Sequence, residues 1–269
     1  MRTQNLYLKF IAVLLLVVLS VVYLLPVYLM IITSLKSIDE VNTLNYLVPT
    51  LRPKWNNYTE VLFGSERFRS QMIARLFNST FISTSVTALA LLFGGLGGYY
   101  LSRTRTVLAR LIFILVGIAL YLPYQAVIIP LTIFMSQTGL NRSYSGLILS
   151  YLILNMPLAS VLLGTFFLSI PRELEEAAQV DGANRLQIFF NVVVPVSIPA
   201  YISVAIIIFT QVWNEFFLAL TLSSRATQTV QVVMAEAKGT TLVLYNLQMA
   251  AALIAVSVPL LLFAFLSRY

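Results

Sequence analysis

At 269 residues the chain is 59% hydrophobic and only 10% charged, against roughly 45–50% and 25% in soluble domains. Its mean hydropathy of +0.89 is more apolar surface than a water-soluble globule can hide. Disorder and a nucleic-acid-binding arm are excluded by the same balance, and the class is an all-α integral membrane protein. The formal charge of +7 comes from lysines and arginines scattered between apolar runs, which reads as anchorage at lipid headgroups. With no Cys and no His, the chain lacks disulfides, thiol nucleophiles and the usual metal ligand and general base. Neither a catalytic residue nor a metal site is expected.

A membrane helix needs about 20 mostly apolar residues. The first run, residues 10–33, is interrupted up to Ile32 only by Ser20 and Pro26, with Arg2 and Lys9 before it. It exceeds the roughly 7–15 residues of a signal-peptide core and is read as an uncleaved span. The second, residues 77–101, ends near Gly94, Gly95, Gly97 and Gly98, small residues that suit close helix packing. The third, residues 108–136, holds Pro123 and Pro130; the fourth, 144–169, holds Pro157. The fifth, 195–222, contains Glu215, and the sixth, 245–266, contains Pro259. Six spans in a single domain, residues 1–269, follow, with both termini on one side. Helices are expected because open backbone is costly in hydrocarbon. A barrel would alternate apolar and polar residues, and these runs do not.

With the N-terminus inside, eight basic residues fall inside and nine outside. Six of the nine (Lys36, Arg52, Lys54, Arg67, Arg69 and Arg75) sit in the long first loop. Setting that loop aside as a translocated subdomain leaves eight against three, favouring a cytoplasmic N-terminus.

The loop 170–194 carries four of the ten acidic residues. Pro171 opens a helix, and Glu173, Glu175 and Glu176 lie in its first turns, where the helix dipole favours negative charge. Glu173, Glu176, Ala177 and Val180 share one face by their i, i+3, i+4, i+7 spacing. Asp181-Gly182 marks a turn. Asp181 is then the cap of a second helix, from 183 to about 191, which Pro195 ends.

As a string, Glu176-Ala177-Ala178, Gly182, Val192 and Val194-Pro195 resemble the EAA loop of ABC-importer permeases: Glu-Ala-Ala, three residues, Gly, nine residues, Ile, one residue, Leu-Pro. Both replacements by Val keep an apolar residue and the spacing. Thr33-Ser34-Leu35-Lys36, Asn78-Ser79-Thr80, Leu101-Ser102-Arg103 and Trp213-Asn214-Glu215-Phe216 are similar to the carbohydrate, maltose-type branch of that family.

The resemblance implies a type I importer fold and a place in a prokaryotic inner membrane with cytoplasmic termini. It implies a second and different permease chain, two ATPase subunits and an extracytoplasmic solute-binding protein. The chain has no Gly-x-x-x-x-Gly-Lys-Ser/Thr loop, so it lacks the usual nucleotide cradle; ATP and Mg belong on the ATPase partner, and this chain binds no cofactor. The coupling residues implied are Glu173, Glu176, Ala177, Ala178, Asp181, Gly182 and Pro195, with an acidic corner meeting a basic ATPase residue.

Glu215 is the only carboxylate deep in a span, at a cost of roughly 2.5–3.5 kcal/mol by insertion scales, so it faces the bundle interior or a watery cavity. Gln211 lies on the same face. With Asn155, Gln125, Asn214, Tyr124 and Trp213 it makes a set of amides and aromatics suited to a sugar; an interhelical polar clamp uses the same residues. The rival from another class is an ion-coupled secondary transporter using Glu215. An intramembrane enzyme would lack a pair of carboxylates for acid–base work.

Overall fold

The computed structural model describes residues 2–43, 46–65, 68, 71–238 and 244–268; Arg67 and Arg69, counted above in the first loop, lie outside them. In chain order the helices are α1 (Arg2–Ser34), α2 (Ile38–Asn42), α3 (Asn56–Phe63), α4 (Met72–Arg103), α5 (Val107–Ala119), α6 (Gln125–Gln137) and α7 (Tyr144–Leu168). They continue as α8 (Arg172–Val180), α9 (Arg185–Ile188), a π-helical turn (Phe189–Val193), α10 (Val194–Val196), α11 (Ile198–Asn214), α12 (Phe217–Leu222), α13 (Val230–Lys238) and α14 (Tyr245–Leu266). No strand occurs among the described residues.

Among those residues four helices are long and apolar enough to cross a membrane: Lys9–Ser34 within α1, α4, α7 and α14. A fifth is counted if the segments Arg185–Val196 and Ile198–Asn214, bent by 81°, are taken as one span. The expected third span, 108–136, is instead two helices of 13 residues each, α5 and α6, at about 1.5 Å per residue each too short to cross hydrocarbon alone. Pro123 accounts for the break: it has no N–H to donate and disfavours a helical Leu122 before it.

The expected fifth span, 195–222, is also reshaped. Pro195 does not end the preceding helix but lies inside it, in α10; the chain turns at Ser197, and Pro199 falls in the first turn of α11, where a missing N–H is harmless. A second break falls at Glu215, whose backbone is extended (φ −72°, ψ 132°).

The chain divides into two compact units, each assembled from separated segments. The first comprises residues 1–73 and 233–257. None of the apolar window of α1 is buried within the chain, whereas Ile32, Thr33 and Ser34 at its end are. The turn after it is tightly held. Asn57, buried on α3, donates to the Ser34 and Lys36 carbonyls at 2.7 and 2.9 Å, and the Asn246 amide reaches the Lys36 carbonyl at 3.3 Å. Ser37 and Glu40 form a capping box on α2. The Ser37 backbone N–H, seconded by the Thr50 hydroxyl, holds the Glu40 carboxyl below its ordinary 4.5. That support is complete above pH 4.5 and fades as pH falls through the lowered value.

The second unit comprises residues 74–232 and 258–269, with α7 at its centre. Ser143 caps α7 by accepting from Gly146 N at 3.0 Å. Buried Leu147, Tyr151, Ala159, Leu163 and Phe167 carry α7 through a core shared with α4, α11 and the π-helical turn. The four-glycine stretch of α4 makes its crossing with α7 possible. A Cβ on Gly94 would stand 2.5 Å from the Ala159 Cβ, and one on Gly98 2.5 Å from the Ser160 carbonyl. Asn78 donates to the Ala226 and Gln228 carbonyls at 2.8 and 2.9 Å, and Ser79 Oγ accepts from Val230 N, so the second span's first turns clip the segment before α13.

Gly117 on α5 has open space where its Cβ would be. Gly98→Ala is therefore expected to destabilise the detergent-purified protein by about 1–3 kcal/mol, whereas Gly117→Ala leaves it unchanged or slightly stabler. Thermal unfolding of the two variants side by side checks this.

Candidate functional site

Two places in the second unit gather the residues singled out in the sequence. The first is built on α8. Pro171 precedes it and Glu173 and Glu175 lie in its first turn, as the dipole favours. Glu173, Glu176, Ala177 and Val180 are all exposed, Val180 at 88%, so the face shared by their spacing points away from the unit. Ala178 is on the other side, packed against the core.

Glu175 is the residue sequence reasoning passed over. It turns inward and forms an ion pair with Arg103, the last residue of α4, at 2.5 Å, with both side chains largely buried (12% and 15% exposed). The Tyr99 hydroxyl donates to Glu175 Oε2 at 2.8 Å, and Arg103 Nη2 donates to the Ile170 carbonyl at 3.1 Å. These bonds fasten α8 to the end of the second span. The available signal was a basic residue closing a span and a carboxylate set opposite the exposed face of a short helix.

Beyond α8 the chain turns at Gly182, whose φ of +86° is a left-handed conformation that glycine adopts without steric cost. Asp181 stays exposed and is not the next cap. Asn184 takes that role in a reciprocal capping box with Gln187, with bonds of 3.0 and 2.8 Å, so the second helix starts at Arg185. An Asn at the cap position with Gln three residues on is the S/T/N-x-x-E/Q signature. It outweighs Asp181, which sits one residue before the left-handed glycine.

The second place is a cavity of about 650 Å³ lined by Tyr124, Tyr151, Asn155, Gln211, Asn214 and Glu215 among apolar neighbours. The α5–α6 break brings Tyr124 here, and the break after α11 turns the Glu215 carboxylate back on its own chain. That carboxylate accepts from the Tyr151 hydroxyl at 2.7 Å, the Tyr124 hydroxyl at 3.4 Å, Leu218 N at 2.9 Å and Ala219 N at 3.2 Å. It thereby caps α12, satisfying amides that the helix start leaves free. Asn155 donates to the Tyr151 carbonyl at 2.8 Å, and Asn214 Oδ1 accepts from Gln231 at 3.3 Å.

Two expected members are elsewhere. Trp213 is 1% exposed and stacks on Phe209 at 5.7 Å, because the two are one helical turn apart on the buried side of α11. Gln125 is an exposed residue of the first turn of α6 and does not line the cavity. Tyr151 was not anticipated, although a tyrosine deep in an apolar span needs a partner for its hydroxyl.

No group of three or more potential His, Cys, Asp or Glu metal ligands occurs among the described residues. A helical membrane protein with broken spans, a polar pocket at the breaks and an exposed acidic helix between an unbroken span and a broken one has the build of a membrane transport component.

Residues 90–269 match the family described as binding-protein-dependent transport system inner membrane component. The chain belongs to that family, a transport component of ABC importers and not an enzyme. It is 34% identical to the glucose import system permease protein GlcU of Saccharolobus solfataricus over 94% of this chain and 89% of the relative. It is 32% identical to the trehalose transport system permease protein SugB of Mycobacterium tuberculosis over 89% and 86%. Its fold is similar to a chain in the crystal structure of a bacterial ABC transporter involved in the import of the acidic polysaccharide alginate. That match has a TM-score of 0.84 at 21% identity and covers 100% of this chain and 98% of the other.

The Glu215 bonds generate a test. Hydrogen bonds to charged groups contribute about 1.5–3 kcal/mol. A double-mutant cycle of Tyr151→Phe and Glu215→Gln, read by thermal unfolding, is expected to give a coupling energy above about 1 kcal/mol; additivity would mean that the two side chains do not interact.

Proposed function

We propose that this chain is the permease subunit of an ATP-driven importer whose cargo is a sugar or sugar-like solute. The observation that carries the reading is the EAA-type elbow: α8 exposes Glu173, Glu176 and Ala177 while Glu175 and Ala178 anchor it from behind. A short helix held in this way moves as one piece with the spans it joins. Its acidic rim is suited to a basic cleft on an ATPase, and Gly182 allows the chain to double back beside it. The named cargoes of the relatives, glucose and trehalose, support the sugar class. The cavity's amides, hydroxyls and aromatic rings offer the donors, acceptors and C–H-stacking faces that a sugar needs.

In this reading two ATPase subunits hold ATP and Mg, a second permease of different sequence completes the pathway, and a solute-binding protein delivers the cargo. The membrane is the prokaryotic inner membrane, with α8 and both termini on the cytoplasmic side. Glu215 clamps the break after α11 and contributes to the path wall. Its carboxyl group already accepts from four donors, which suits a structural clamp better than a group that binds and releases a coupling ion.

The test is reconstitution of the chain with its candidate ATPase, second permease and binding protein in liposomes. Sugar-loaded binding protein is expected to stimulate ATP hydrolysis and uptake. Gly182→Asp is expected to leave insertion and expression normal while abolishing uptake. Uptake driven by an ion gradient without ATP, or undiminished in Gly182→Asp, would overturn the proposal.

A further inference from the structure

A second cavity, about 760 Å³, opens where the end of α4 meets α8 and α9. Its wall carries four arginines, Arg103, Arg105, Arg172 and Arg185, against two carboxylates, Glu175 and Glu176. The Arg103–Glu175 pair neutralises one of each. The other three arginines have no carboxylate partner among the described residues, so three cations face one free carboxylate. Leu96, Tyr100, Leu186 and Phe189 contribute apolar surface beside polar residues such as Gln179 and Asn184, and two of these apolar side chains, Tyr100 (58%) and Leu186 (61%), are open to the surroundings.

The cavity's position gives this mixture its meaning. It lies at the end of α4, a helix long and apolar enough to cross a membrane, whose last residue, Arg103, donates to the Ile170 carbonyl just beyond α7. At the end of such a helix a cationic rim beside exposed apolar side chains matches an amphiphile with a phosphate head. A free phosphate would use the arginines and leave the apolar wall idle.

We propose that this cavity is a binding site for an anionic glycerophospholipid, its phosphate among Arg105, Arg172 and Arg185 and its acyl chains along Leu96, Tyr100 and Leu186. The site needs only that α4 and α7 cross a membrane and does not depend on the coupling role of α8. A lipid seated there bridges the second span to α8 and α9 and stiffens their junction.

Native mass spectrometry of the full-length protein in neutral detergent, given equal amounts of phosphatidylglycerol and phosphatidylcholine, tests the site. The wild type is expected to retain phosphatidylglycerol preferentially. Arg105→Gln, Arg172→Gln and Arg185→Gln are each expected to reduce that retention by about fivefold, the effect of one basic residue at an anionic surface, while Arg225→Gln leaves it unchanged. A thermal-unfolding control on each variant keeps the result readable should one of the three fail to fold. Equal retention of the two lipids, or retention unaffected by all three substitutions, overturns the proposal. So does stabilisation by inorganic phosphate without a lipid preference, which would indicate a free-anion site. Loss of ATPase co-purification with unchanged lipid retention would assign the arginines to a protein partner and likewise overturn it.

Discussion

A single ion pair, Arg103 with Glu175, decides what the exposed helix α8 can do. Nine residues are too few to hold a helix in water by their own hydrogen bonds, and the outer face of α8 is exposed. Its orientation therefore comes from behind, from a largely buried carboxylate that accepts from Tyr99 and pairs with the guanidinium closing α4. Breaking such a pair from one side leaves an uncompensated charge and costs far more than a surface salt bridge does. The same guanidinium also holds the Ile170 carbonyl, so the ends of α4 and α7 and the start of α8 share one polar knot.

Deeper in the same unit, Glu215 solves a related problem. A helix that stops inside hydrocarbon exposes amides with no water to satisfy them. The Glu215 carboxylate meets two of those amides and two tyrosine hydroxyls together, which makes the break between α11 and α12 tolerable. Irregular backbone at membrane depth is accepted where it lines a cavity, and the cavity of about 650 Å³ lies against this break. Clamp and wall are thus one arrangement: the group that stabilises the break is also the one that faces the cavity.

Much of the fold is legible from hydropathy because α1, α4, α7 and α14 are uninterrupted apolar helices of spanning length. Hydropathy counts residues and is blind to backbone direction, so it joins α5 to α6 and runs straight through the bend at Ser197. Pro123 and Pro199 mark both places, but a proline inside a membrane span is equally compatible with a kink. The exposed face of α8 follows from helical periodicity alone. Its anchor does not, since pairing Glu175 with Arg103 requires knowing that residues more than seventy positions apart meet. Trp213 misled for a different reason: an aromatic near a carboxylate looks like path lining until helical phase places it over Phe209, one turn back on the buried side of α11.

The central claim is that α8 and the end of α4 move as one body. The chain has no cysteine, so Ser102→Cys and Leu174→Cys can carry a pair of spin labels without interference. Leu174 is exposed but off the face assigned to the ATPase. In the assembled transporter the account predicts an inter-spin distance distribution that stays narrow and unchanged through the nucleotide cycle, and that broadens when Glu175→Gln is added. A distance that shifts with nucleotide in the otherwise unaltered chain, together with indifference to Glu175→Gln, would contradict it.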